Sequence, residues 1–379
     1  MEITAKQLVA NFSQQSINSL NPHPIQTIAR QLASSTSPQQ EQMASSLPSN
    51  IRALLQPDIH STDLILTSMP LQPTQPNTSE HLIKVLATAP CAGELLWAKN
   101  FPGFIPRDHP FVPCFDLSGT VVTAPPASPF QPGAHVYTRT PATRTGNARE
   151  YAVALTSELA AKPRNLSWEE AASVPLSALT AYQALFVHGG LAAGWKSEAG
   201  RAANGTKRVL ITAAAAGVGV WLVQLARAAG VREVVGIAGP QNAEFVKGLG
   251  ASEVIDYKAQ ELGEWAKENE KVDLVVDLLG GKTLESAWGT VKDGGILLSV
   301  SQPPNTAKPD DRTSKDVQDK FFIMEPDGWQ LDEVRDLIEA GEAKPVVDSV
   351  WKLEQFKEAF AKVASGHTRG KVIIKVQDD

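Results

Sequence analysis

The segment from Arg208 to Gly230 constrains the fold more than any other part of the chain. Val209-Leu210-Ile211-Thr212 is a short apolar run, followed by Ala213-Ala214-Ala215-Ala216-Gly217-Val218-Gly219 and at once by a helical pattern. A run this short, bounded by small residues, reads as a buried strand. Further strands and helices follow in alternation. The pattern predicts strands at 208–212, 233–237, 253–256, 273–277 and 295–300, and helices at 218–229, 241–249 and 282–291, with Gly250 as a helix C-cap. Such alternation builds a parallel sheet with helices on both faces.

The turn between the first strand and helix has a chemical consequence. Small residues let the backbone approach a pyrophosphate, and the N–H groups of the new helix favour its charge. Within a βαβ unit this is a dinucleotide site, with Ala216, Gly217 and Val218 against the phosphates. Alanines at 213 and 216 stand where glycines are commoner, so their methyls are expected to narrow the turn. The end of the next strand reads Gly236-Ile237-Ala238-Gly239-Pro240-Gln241-Asn242. It holds no carboxylate to bind a ribose 2′-hydroxyl or repel a 2′-phosphate, so NADPH is expected over NADH. No arginine follows immediately, and Lys247 lies further along the helix.

The remainder divides by texture. Residues 1–49 form a polar extension in which Ile25, Ile28, Ala29 and Leu32 recur at helical spacing. Residues 50–175 carry short apolar runs punctuated by Pro and Gly, as in a small barrel or sandwich. After 176–320, the tail predicts helices at 331–340 and 353–365 and strands at 346–350 and 371–376. The last strand is expected to return to the first domain, giving a domain of 50–175 plus 321–379 around a nucleotide-binding domain of 176–320.

Composition excludes several classes. The net charge is −6 and no basic block occurs, so nucleic acid is not expected as a partner. No apolar run of about 18 residues exists, so no membrane span is predicted. Cys91 and Cys114 are the two cysteines, too few for a disulfide framework. Met1 to Gln40 shows no apolar core of a secretory signal, and its sparse Lys6 and Arg30 favour a cytoplasmic protein over a mitochondrial one.

Several further segments carry a resemblance. They are His109-Pro110-Phe111-Val112-Pro113 with Asp116–Val122, Phe130–Tyr137, Ala171–Pro175, Leu179–Tyr182, Glu244–Ala251, Val254–Tyr257, Phe321–Ile323, Glu325–Gly328 and Gly370–Val372. In this order, over residues 50–379, the chain resembles the medium-chain dehydrogenase/reductase superfamily, on its zinc-free, quinone-reductase-like and enoyl-reductase-like side. The resemblance implies a GroES-like barrel and a doubly wound Rossmann domain with the active site between them. It implies hydride transfer from NADPH to a quinone or an activated C=C, with secondary-metabolite intermediates among the substrates, and a homodimer. It places Thr180 near the nicotinamide, Gly217 and Val218 at the pyrophosphate, and Asn242 and Tyr257 at the adenosine end. Asp277 and Gly280 would border the cleft, and Phe322 and Lys371 would close it. Zinc-dependent relatives use Cys and His-Glu ligands. Here Cys91 falls near the first ligand, but Phe115-Asp116 replaces His-Glu, so no metal is expected.

Without zinc, other groups must stabilise the developing oxyanion and deliver a proton. Candidates are Glu94, Cys91, Thr180, Tyr137 and Tyr182. Glu94 precedes Leu95-Leu96-Trp97, so desolvation would raise its pKa. Trp97, Phe101, Phe104 and Phe111 could line a substrate pocket or pack a core. Two other readings stay open: a cofactor-binding protein with a non-redox role, and zinc-free alcohol oxidation.

Overall fold

The computed structural model describes residues 47–75, 77–100, 111–310 and 314–379. The helix expected around Ile25–Leu32, and Phe101 and Phe104, lie outside the described residues. Residues 48–379 form one compact unit built on two large sheets.

In chain order the first strands are β1 (Asn50–Leu55), β2 (Ile65–Pro70), β3 (Glu80–Ala89), β4 (Asp116–Thr123), β5 (His135–Arg139), β6 (Tyr151–Leu155) and β7 (Leu159–Ala161). Next come β8 (Arg208–Ile211), β9 (Glu233–Ala238), β10 (Glu253–Asp256), β11 (Val272–Asp277), β12 (Val291–Ser299) and β13 (Gln318–Phe321). The tail contributes β14 (Val347–Lys352) and β15 (Lys371–Lys375).

β8 to β13 form a parallel sheet of order β10-β9-β8-β11-β12-β13. Counted from its own first strand, that is 3-2-1-4-5-6, the doubly wound order of dinucleotide-binding sheets. All four residues of β8 are buried because helices cover both faces, which is why Val209-Leu210-Ile211 is a continuous apolar run, with Arg208 at its start paired to Glu233. β8 and β11 are neighbours whose connections run to opposite sides, so a crevice opens beyond Ile211 and Asp277.

The other sheet has order β14-β15-β3-β4-β5-β7, with β6 also paired to β3. β3 is central and buried along most of its length, packing Ile83 and Val85 with Leu117, Val136 and Ile374. β15 pairs antiparallel with β3 and parallel with β14, so the chain end does rejoin the first sheet. This return carries Gly370 and Lys371 past the turn after β8.

Two departures from the sequence pattern have physical causes. The helix expected at 282–291 ends at Ala287, and Val291 already pairs with Val272. The ladder then skips Lys292–Gly295 and resumes at Ile296 beside Leu274, an irregularity that masks the strand's start. Helix Pro175–Tyr182 has no apolar period because seven of its eight residues are buried. It packs against helix Gly217–Ala228 and carries Thr180. Among the described residues no helix is long and apolar enough to cross a membrane.

Candidate active site

The turn after β8 leads into a helix with no side-chain cap. Ala216 caps helix Gly217–Ala228 without any side-chain acceptor, so the first N–H groups of the helix are left for a ligand. Gly219 is fixed by packing, since a Cβ there would lie 2.3 Å from the Ala213 carbonyl oxygen. Ala213 itself adopts φ +49°, a left-handed conformation that costs an alanine about 1 kcal/mol. Ala213→Gly is therefore expected to raise stability by about 0.5–1 kcal/mol in urea unfolding. The methyls of Ala213, Ala215 and Ala216 do not close the turn. They form the floor of a cavity of about 1090 Å³, large enough for a nucleotide.

This cavity runs past the end of β9, with Gly239, Asn242 and Tyr257 in its walls and Tyr257 exposed. Gly217 and Val218 begin the helix beside its floor. Arg369, which sequence reasoning missed, closes the same end. Its Nε and Nη2 donate to Asn242 Oδ1 at 3.0 and 2.8 Å, and its guanidinium lies 4.6 Å from the Phe245 ring centre. Asn242 thus orients the arginine. Lys247 instead pairs with Glu244 at the surface.

Asp277 stands behind the crevice. Its carboxylate accepts from Thr212 Oγ1 (3.1 Å), Gly280 N (2.8 Å) and Ser299 Oγ (3.0 Å) and is fully buried. It ties the rims of the switch point together, and neither it nor Gly280 lines the cavity. Phe322 is buried against the His188 ring, with centroids 4.7 Å apart.

Lys371 connects this turn to a second group of residues. A Cβ at Gly217 would sit 3.1 Å from Lys371 Cδ, and Lys371 Nζ reaches Asp116 Oδ2 at 3.4 Å and Pro90 O at 3.0 Å. Burial opposes the ammonium's charge, but Asp116, Cys91 and Glu94 outweigh it and raise its pKa. Asp116 is buried and accepts from Leu176 N at 2.7 Å. Glu94 opens a short 3-10 turn after Gly93 (φ +75°) and is likewise buried. Its oxygens accept from Cys114 N at 3.3 Å and Cys114 Sγ at 3.7 Å. Desolvation raises its pKa from 4.5 to about 7. Arg139, at the end of β5, adds a second buried cation.

The candidates fare differently. Thr180 Oγ1 donates to Leu176 O at 2.7 Å, one helical turn back. Burial pushes the Cys91 thiol up to about 11, so it keeps its proton at neutral pH. Tyr137 corrects the expectation of a catalytic phenol: it is fully buried and donates to Leu331 O at 2.7 Å, tying β5 to helix Gly328–Glu339. Tyr182 packs edge-on against Phe186, with centroids 5.0 Å apart. Among the described residues no group of three or more His, Cys, Asp or Glu is arranged to hold a metal. Phe115 offers no ligand, and two cations already balance Glu94 and Asp116, so zinc does not fit this cluster.

A family profile described as zinc-binding dehydrogenase matches residues 249–374, which contain neither cysteine. The chain is 49% identical over 333 residues to a probable zinc-binding oxidoreductase, mitochondrial, of Arthroderma benhamiae, covering 87% of this chain and 98% of that one. It is 33% identical to a chloroplast envelope quinone oxidoreductase homolog of Arabidopsis thaliana, covering 72% and 82%. It is also 33% identical to a mitochondrial NAD(P)H oxidoreductase of Danio rerio, covering 66% and 68%. The quinone oxidoreductase structure from Coxiella burnetii shares the fold at TM-score 0.70 and 23% identity, covering 86% and 100%.

The mitochondrial names of two of these relatives overturn the cytoplasmic expectation. That expectation weighed the scarcity of arginine in residues 1–40 above their richness in serine and their single carboxylate, Glu2. The 49% identity across nearly the whole of a relative, joined to the doubly wound sheet and the shared fold, shows that this chain belongs to the medium-chain dehydrogenase/reductase superfamily.

Proposed function

We propose that the protein is a zinc-independent, NADPH-dependent reductase of quinones or activated C=C bonds. The observation that carries this reading is Lys371, which lies beside Gly217 at one end of its side chain and Asp116 at the other. The nucleotide turn and the buried charge cluster are thereby neighbours, which supports a reaction between bound nucleotide and a second substrate.

NADPH, when bound, supplies a hydride to the substrate. For an enone, hydride addition at the β-carbon would shift the C=C pair into a bond between the α-carbon and the carbonyl carbon and the C=O π pair onto the oxygen, and a proton at the α-carbon would complete the ketone. The helix N-terminus at Gly217 would hold the pyrophosphate. Glu94 supplies the proton, because a buried carboxyl with a pKa of about 7 keeps a proton near neutrality. NADPH and one proton are consumed and NADP+ and the saturated ketone are formed.

Arg369 supports NADPH over NADH. Its guanidinium stands beside the end of β9, whose residues 236–242 hold no carboxylate, and donates to the uncharged oxygens of Asn242 and Gln241, while its backbone N–H donates to Asp348 Oδ2 at 2.9 Å. A 2′-phosphate would offer it a charge-assisted bond worth about 1.5–3 kcal/mol. Arg369→Ala is expected to weaken NADPH about 10- to 100-fold while leaving NADH affinity within about two-fold. Equal losses for both nucleotides in fluorescence titrations would remove Arg369 from that role.

A further inference from the structure

We propose that the Arg139 guanidinium binds the carbonyl oxygen of the substrate and holds the negative charge that develops there during reduction. The inference rests on the reductase reading and assigns the group that replaces a metal at this site.

Arg139 ends β5 directly across from Asp116, the first residue of β4. It is 5% exposed, and its guanidinium carbon lies 4.9 Å from the Phe115 ring centre. Its Nε and Nη1 are buried without a hydrogen-bond partner. No carboxylate oxygen of the described residues pairs with it: Asp116 is taken by Leu176 N and Lys371, and Glu94 by Cys114.

The other buried arginines of the described residues, Arg149 and Arg208, each keep side-chain hydrogen bonds although Arg149 Nε and Arg208 Nη1 are also left over, whereas the Arg139 guanidinium makes none. Arg208 holds both oxygens of Glu233, with Nε at 2.6 Å and Nη2 at 2.9 Å. Arg149 donates to Gln72 Oε1 at 2.7 Å. A guanidinium has five donors in a rigid fork and no acceptor, and burying it unbonded is costly. A ligand oxygen removes that cost. An enolate or quinol oxygen is the strongest acceptor the proposed reaction generates, and preorganised donors at such an oxygen accelerate its formation.

The charge environment agrees with this assignment. Arg139, Lys371, Glu94 and Asp116 form two cations and two carboxyls, and burial lowers the pKa of Arg139 while Asp116, Cys91 and Glu94 raise it. The cluster thus keeps a cation available without a surplus that would expel it.

The test uses the full chain, with 4-nitrophenolate as a mimic of the oxyanion in the presence of NADP+. Its absorbance reports binding without turnover. The wild type is expected to bind it, and Arg139→Met to bind at least 10-fold more weakly, with NADPH affinity within two-fold. With 1,4-naphthoquinone as oxidant, kcat of Arg139→Met is expected to fall about 100-fold. Arg139→Ala should regain part of its rate in millimolar guanidine, which a packing role would not produce. Arg139→Lys covers the case in which the neutral variants do not fold, with phenolate binding retained and kcat reduced. Phenolate binding equal in wild type and Arg139→Met, or no phenolate binding by the wild type, overturns the proposal. Phenolate binding that depends on Arg139 without any NADPH oxidation by the wild type would instead overturn the reductase reading and leave Arg139 as an oxyanion site.

Discussion

Glu94→Gln is expected to lower kcat by about 100-fold or more and, at the same time, to stabilise the fold at alkaline pH. The first effect follows from general acid catalysis, which contributes about 100- to 10,000-fold when a positioned group delivers the proton. An amide has the shape of the carboxyl but no acidic proton. Wild-type kcat should therefore fall as pH rises through about 7, where Glu94 ionises, and the variant should lose that limb.

The second effect follows from linkage. The unfolded carboxyl ionises near 4.5, while the folded one holds its proton to about 7. Below 4.5 both states are protonated and the group costs nothing. The penalty grows as pH rises between the two values and is complete above about 7, where it reaches about 3 kcal/mol. Glutamine keeps no such penalty but offers Cys114 N a weaker acceptor. A net gain of about 1–2 kcal/mol at pH 8, and little at pH 5, is expected from urea unfolding. A stabilised, inactive variant is the signature of a residue kept for chemistry. A variant that is inactive and equally destabilised at both pH values would show that Glu94 is structural.

Gly217→Asp is expected to abolish nucleotide binding while leaving the fold intact. The new carboxylate stands at the first turn of helix Gly217–Ala228, the proposed pyrophosphate site. Like charges at such a contact cost several kcal/mol, and a loss of about 3 kcal/mol weakens NADPH and NADH alike by roughly 100-fold. The helix itself gains, since an acidic residue at its N-terminus is favourable. The added Cβ meets Lys371 Cδ at 3.1 Å and Ser177 Oγ at 3.2 Å, so each of these buried side chains must give by a few tenths of an ångström. A circular-dichroism melt within a few degrees of wild type, with nucleotide fluorescence lost, is the expected pair of results. Unchanged NADPH affinity would place the pyrophosphate elsewhere.

The contrast between Gly217 and Arg369 explains what the sequence revealed. The nucleotide turn is local: strand, small residues and helix are contiguous, so its context can be checked within some 20 positions. Glu94 was also legible, because an acidic residue beside Leu95-Leu96-Trp97 is headed for burial. Arg369 lies 127 positions from Asn242, and only the return of β15 to the first sheet brings the two together.

Arg139 was missed for another reason. In β5 the charged Arg139 follows the apolar residues, and only pairing with β4 shows that the strand carries it opposite Asp116. Tyr137 shows the converse error: its hydroxyl looked chemical, but Leu331, 194 positions away, takes its proton bond. Side-chain partners across domains are invisible to periodicity, which reports only which face a residue occupies.

The most direct test of the zinc-free reductase account is NADPH consumption by chelator-treated protein. Protein dialysed against EDTA and shown by mass spectrometry to hold no zinc would be mixed with NADPH and 1,4-naphthoquinone, and absorbance followed at the reduced nicotinamide band. The account predicts steady oxidation of NADPH, slower with NADH, at a rate that added zinc does not change. Loss of activity on chelation with full recovery on adding zinc would contradict it, as would tight NADPH binding with no oxidation by quinone or enone.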